Sequence, residues 1–347
     1  TLNIKLELVL SMPYMKEYEN KLIFQLAEEN INLTKQEWDS YETSWNFKKH
    51  PMVAKNSSIE SLYNSWEELV NKWFYNLKDN EEKLNEFFID IYGLKDELTP
   101  QEDDKLVSIR KVTKNDSVKS LISYLIGLNM GRYSLDREGI AFAGGKWDPK
   151  KYVTYTPDDD GIIPLYQYTD INDGLLKVLC NLIKHIYGEE YYKDNINFIA
   201  KALGQKANET PEETLNNYLN NNFYEDHLKT YRNRPIYWML SSGKQGAFKC
   251  LIYLHRYNKN TLGLVNSKYF LPRTAFYRTE REKLEAKLKD ASLSASSKKK
   301  LEKDTHFEFA KTLLIQENMQ LGYRHYIYEV ALFIVRNLIQ RKLKIVY

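Results

Sequence analysis

Cysteine is nearly absent. Cys180 and Cys250 are the only two thiols in 347 residues. They stand far apart, so they offer neither a zinc-ligand cluster nor a disulfide framework. So little cysteine suits a reducing compartment, and a cytoplasmic location is the expectation. Long apolar runs are missing too. No stretch approaches the roughly 20 apolar residues of a membrane-spanning helix. The N-terminus has no basic segment followed by an apolar core and a small-residue cleavage site. The reading therefore predicts no membrane partner and no secretion. Nor does either sign of charge dominate: 50 basic and 47 acidic residues leave a net charge of +3. An anion-binding surface would have to come from segregated charges, not from the total.

Complete enzyme signatures are also lacking. Ser241-Ser242-Gly243-Lys244 has the ending of a phosphate loop. However, Trp238 stands where the leading glycine belongs, and Gln245 replaces the magnesium-binding hydroxyl. Pro157-Asp158 opens a nuclease-like pattern whose Glu-x-Lys partners occur only in a distant charged helix. His185 and His227 have no ligand partners at metal-binding spacing and read as structural. No metal ligand and no catalytic residue is assigned.

What the chain does contain is aromatic and basic. The richest stretch is Tyr231-Arg232-Asn233-Arg234-Pro235-Ile236-Tyr237-Trp238-Met239-Leu240-Ser241-Ser242-Gly243-Lys244. Arginine forks pair with phosphates or guanine edges, and Tyr and Trp pack while donating a hydrogen bond. Nucleic-acid contact and a buried strand with snorkelling arginines both account for this composition. Other basic clusters lie at Lys48-Lys49, from Lys229 to Arg234, and from Lys298 to Lys300. Acidic runs lie at 96–104 and 158–160.

Periodicity outlines the elements. Alternating Leu2, Ile4, Leu6, Leu8 and Leu10 predict a half-buried strand closed by Pro13, with a helix over 17–30. Thr34 and Glu37 read as a capping box opening another short helix, followed by an aromatic loop over 39–51. A wide apolar stripe from Ile59 through Trp66 and Trp73 to Leu77 predicts a core-facing helix. That helix extends toward Tyr92 and stops at Gly93. An acidic connector covers 94–116. Asp116 is expected to cap a helix over 117–130, leaving Arg132 exposed at its end. The stretch to Tyr168 reads as a loop-rich lid or small hairpins. Helices are expected over 170–187, stopped by Gly188, and over 211–221, with Thr210 as cap. Strands over 235–240 and 249–257 flank a Ser-Ser-Gly-Lys-Gln-Gly turn. From Thr274 onward, charged segments broken at 292–297 predict a coiled-coil-like helical hairpin.

Four long stretches carry a family resemblance. They run from Glu37 to Pro51, from Phe88 to Pro100, from Met130 to Asp136 with Ala143-Gly144-Gly145 following, and from Arg234 to Tyr257. In this order they resemble the C-terminal part of the PglX family, the adenine-specific DNA methyltransferases of BREX phage-defence systems. The likeness spans roughly residues 30–275, and the last 25 or so residues do not match. It implies a parent activity of methyl transfer from S-adenosylmethionine to adenine in a short DNA sequence. That chemistry needs a glycine-rich cofactor loop and an Asn-Pro-Pro-Tyr type loop that holds a flipped adenine. Neither is found here. Ser11-Met12-Pro13-Tyr14 lacks the paired prolines, and Gly144-Gly145 lacks the cofactor-loop pattern. The expectation is a chain without the catalytic half, binding no cofactor itself, with S-adenosylmethionine held in the absent domain.

The expected fold is mainly α with small β elements. A helical region covers 1–100 and continues from a target-recognition domain. A mixed domain covers 101–272, and a helical hairpin with tail covers 273–347. The expected partners are double-stranded DNA and other phage-defence proteins. Candidate DNA contacts are Lys48, Lys49, Arg132, Arg232, Arg234, Lys244 and Arg256. Two other roles stay open: a protein-docking module of the defence complex, and the C-terminal part of a fused restriction–modification enzyme.

Overall fold

A computed structural model describes residues 21–166, 174–241 and 248–289, together with Glu7, Leu10, Ser11, Ser294 and Ser296. The described residues are mainly helical with one small sheet, as expected. They divide into two compact units. The first comprises residues up to Ala141, Asp148–Tyr155 and Leu179–Leu215. The second comprises Phe142–Trp147, Thr156–Val178 and the residues from Asn216 on.

The first unit is helical. Helix α1 (Lys21–Asp39) buries Leu26 and Leu33 and lies along α2 (Ile59–Tyr92). No new helix starts at Thr34. Its hydroxyl donates to the Asn30 carbonyl at 2.8 Å inside continuous α1, so the expected capping box is back-bonding to the preceding turn. The long stripe predicted from Ile59 does form one helix. The Ser58 side chain accepts from the Ser61 N–H at its start, and Gly93 ends it in the left-handed region at φ 66°.

Helix α3 (Lys114–Asn129) starts three residues earlier than expected. Thr113 is the cap and accepts from the Asp116 N–H, so Asp116 sits in the first turn. Ten of the sixteen α3 residues are buried, which makes it a core helix enclosed nearly all round. Helix α4 (Leu175–Tyr187) ends at Gly188, whose φ is 97°. The division between units falls within α4 and within α6. Helix α5 (Tyr192–Ala202) touches both α2 and α3, and Asn195 accepts from the Ile59 N–H at 2.7 Å. Helix α6 (Pro211–Asn221) opens on a reciprocal capping box between Thr210 and Glu213.

The second unit holds a three-stranded antiparallel sheet in the order β1-β3-β2. Strands β2 (Tyr237–Ser241) and β3 (Lys249–Tyr253) pair with Tyr237 opposite Tyr253 and Ser241 opposite Lys249. The turn expected between them lies outside the described residues, as does Lys244. Strand β1 (Ile162–Leu165) falls within the stretch read as a loop-rich lid or small hairpins and pairs along the free side of β3. Its Pro164 lacks an N–H, and an edge position tolerates that lack. Phe248, Cys250 and Ile252 pack with Ile162, Val265, Tyr269 and Phe270 into one core. Helix α7 (Phe223–Thr230) sets His227 beneath the start of β2, where its Nε2 accepts from the Ile236 and Tyr237 N–H groups.

After the short helix α8 (Thr261–Leu264) the backbone widens into a π-helical turn at Val265–Phe270. It then runs into α9 (Leu271–Leu288). Helix α9 covers the start of the segment expected to form a hairpin, and nearly all of the remainder lies outside the described residues. So does most of the strand expected over 2–10, although Glu7 and Leu10 within it are helical. Among the described residues no helix is long and apolar enough to cross a membrane.

Candidate functional site

In the first unit, the loop after α1 separates anchoring residues from presented ones. Phe47, His50, Met52 and Val53 are buried. The Phe47 ring packs edge-on against Tyr124 at 5.8 Å and Tyr133 at 5.5 Å, both in or just after α3. His50 Nδ1 accepts from the Met52 N–H, leaving Nε2 to donate to Ser120 Oγ at 3.1 Å. Burial pushes the His50 pKa down to about 3, so the ring stays neutral and structural. The Tyr187 hydroxyl donates to the Met52 carbonyl at 2.8 Å. The sequence between these anchors points outward. Trp45 is 100% exposed, and Lys48, Lys49 and Lys55 are exposed.

These lysines are weakly committed. Lys48 meets Glu138 at 3.1 Å, both side chains largely in solvent, and such surface pairs contribute little. Partial desolvation, and then the nearby Lys55 charge, hold the Lys49 ammonium below the ordinary lysine range. A bound anion would relieve that like-charge crowding. Trp45 and Lys55 are not among the residues that sequence reasoning selected. The signal lay in the run from Trp45 to His50, but composition alone does not say which aromatic residue faces out.

Arg132 departs from expectation. It is buried, with 6% of its surface exposed, where an exposed helix end was expected. Its Nε donates to the Tyr133 hydroxyl at 3.1 Å, and that hydroxyl donates to buried Glu42 at 3.2 Å. Ser123 also donates to Glu42. Buried charge needs such partners, and the network holds Arg132 in the interior, away from any phosphate.

In the second unit, Arg256 is likewise engaged. Its guanidinium stacks over the Trp147 ring at 4.4 Å and donates to the carbonyls of Asp158, at 2.5 Å, and Asp159. The acidic run is itself folded into a turn. Asp158 Oδ1 accepts from the Asp160 and Gly161 N–H groups, while Asp160 pairs with Lys268 at 2.7 Å and with Tyr269. Burial and the neighbouring Asp160 raise the Asp158 pKa to about 6. Arg232 and Arg234 are exposed on the tight turn that closes α7. Arg232 and Asn233 both take left-handed backbone, at φ 50° and 58°, a conformation uncommon outside glycine. The candidates thus fall into Lys48 with Lys49 on one loop, Arg232 with Arg234 on one turn, and two arginines used internally.

Gly144 and Gly145 take φ of 108° and 86° in a loop, but no strand leads into them and only the single 3-10 turn Pro149–Lys151 follows, with no α-helix. The strand–loop–helix cradle of S-adenosylmethionine is therefore not formed there. Among the described residues no group of three or more His, Cys, Asp or Glu side chains could hold a metal ion.

No family model matches the chain. Curated relatives do, and they define a class: the chain is homologous to one part of adenine-specific methyltransferases. The particular relatives are of the PglX type, and the chain corresponds to a C-terminal part of them. It is 38% identical over 281 residues to the adenine-specific methyltransferase PglX of Lacticaseibacillus casei (strain Zhang), covering 78% of this chain and 23% of that protein. It is 33% identical over 332 residues to the adenine-specific methyltransferase BrxX of Escherichia coli O9:H4 (strain HS), covering 88% and 27% respectively. The chain spans about a quarter of the length of the curated relatives it matches.

Proposed function

We propose that this chain is the non-catalytic, DNA-positioning portion of a site-specific adenine DNA methyltransferase that acts in phage defence in the cytoplasm. In this reading, methyl transfer from S-adenosylmethionine is performed by residues elsewhere in the longer protein. The observation that carries the DNA role is the anchored loop bearing exposed Lys48, Lys49 and Lys55 beside a bare indole. Phosphate contacts fix the register of a protein on a duplex, and lysines at loop tips on a rigid base make such contacts. Arg232 and Arg234 form a second basic site of the same kind in the other unit.

The test is duplex binding by the full 347-residue chain across a salt series. Each lysine that meets a phosphate gives about one unit of the log–log salt slope, so Lys49→Gln should lower the slope by about one on any sequence. Binding that does not depend on salt, or unchanged slopes in Lys48→Gln, Lys49→Gln and Lys55→Gln, would reject the role.

One feature favours docking to another protein of the defence complex. Phe24, Ile31 and Trp38 recur every seventh residue of α1 and are exposed, on the face opposite buried Leu26 and Leu33. Apolar stripes of this kind commonly mark protein contacts. If DNA binding fails, this docking reading becomes the stronger.

A further inference from the structure

We propose that Trp45 is a wedge that enters a base step of the DNA whose phosphates the neighbouring lysines hold. The inference rests on the DNA reading above and adds how the duplex is deformed.

Trp45 is 100% exposed, although the residues on either side of it are fixed. The Ser44 hydroxyl donates to Asp39 Oδ1 at 2.6 Å, and the Asn46 N–H donates back to Ser44 Oγ at 3.1 Å. The Ser44 N–H is bonded to the Tyr41 carbonyl at 2.9 Å. Phe47, two positions on, is locked between aromatic rings of the core. The backbone beneath the indole is therefore held while the indole itself touches solvent.

Its surroundings select the occupant. Lys48, Lys49 and Lys55 lie on the same loop; Asp39 is engaged by Lys35 and Ser44 and Glu42 by the buried network, while Glu138 meets Lys48 only in a solvent-exposed pair. An aromatic plane rimmed by cations suits an anionic backbone with flat faces between its charges. Proteins that place apolar wedges beside phosphate contacts part a base step and kink the duplex. The energy of parting depends on the step, so weak steps are preferred.

The experiment measures the full chain against two duplexes of one sequence, one intact and one carrying a single mismatch, at one salt concentration. A 2-aminopurine beside the mismatch reports unstacking. The wild-type chain should favour the mismatched duplex by about tenfold, as expected for one base–aromatic contact, and should brighten the probe. Trp45→Ala should lose both the preference and the brightening while keeping its salt slope and melting temperature, because the indole packs on nothing. Trp45→Phe should restore part of the preference. If Trp45→Ala keeps the wild-type ratio between duplexes, the wedge is wrong and the DNA role stands. If no variant, wild type included, binds either duplex in a salt-dependent way, both fall.

Discussion

At the residue scale, burial separates structural charge from available charge. Arg132 occupies the interior beside Tyr133 and Glu42, so Arg132→Ala leaves a buried carboxylate network without its cation. We expect a loss of about 2 kcal/mol in chemical denaturation, the cost of removing a charged donor from a buried hydrogen-bond network. The salt slope of DNA binding should not change. His50 makes a pH prediction. Its folded pKa is pushed from 6.5 down to about 3. Below pH 6.5 the unfolded chain therefore takes up a proton that the folded ring refuses. The contribution is complete above pH 6.5 and is lost as pH falls toward 3, at about 1.4 kcal/mol per pH unit. Urea titrations between pH 7 and pH 5 should show this slope, and His50→Asn should flatten it by one proton. Neither role can be read from the local sequence. Arg132 looks like any cation after a helix, and its burial depends on Glu42, which is distant in the chain.

Elements were legible where one pattern ran long. The stripe from Ile59 to Tyr92, the cap at Thr210, and the β2–β3 pair follow from spacing and end signals. Strand β1 was legible only as far as the small hairpins allowed somewhere before Tyr168, because four apolar residues including a proline do not mark a strand until β3 lies beside them. Helices α5 and α7 are short and polar in composition, and tertiary contact holds them where periodicity is weak. Thr34 is the instructive miss, since the residue pair of a capping box occurs in mid-helix. Thr34→Ala should accordingly change stability by no more than about 0.5 kcal/mol, where loss of a real cap would cost about 1. Gly93→Ala gives the contrast. An added Cβ there meets nothing within 4 Å, yet the left-handed φ of 66° alone should cost about 1 kcal/mol. Equilibrium unfolding of the two variants side by side checks both.

For the whole molecule, near-neutral charge conceals a divided surface. Loop lysines and turn arginines are exposed, while Arg132, Arg256 and the Asp158 and Asp160 carboxylates are tied into the fold. Composition gave only the sum, and the structure supplies the partition. The sequence also lacks the adenine-holding and cofactor loops, so we expect this polypeptide alone to transfer no labelled methyl group from S-adenosylmethionine to DNA. Transfer at a rate above a no-protein control would overturn that expectation. The π-helical turn at Val265–Phe270 has a consequence of its own. A wider turn accommodates one extra residue, and each residue of a helix advances its angular phase by about 100°. Removing any one residue there would not merely shorten the chain. It would rotate all of α9 about its axis and carry Arg273 off the ring of Tyr166, which it now covers. The turn thus acts as a phase marker, and the face that α9 offers the sheet is set by a count of residues as much as by their kind.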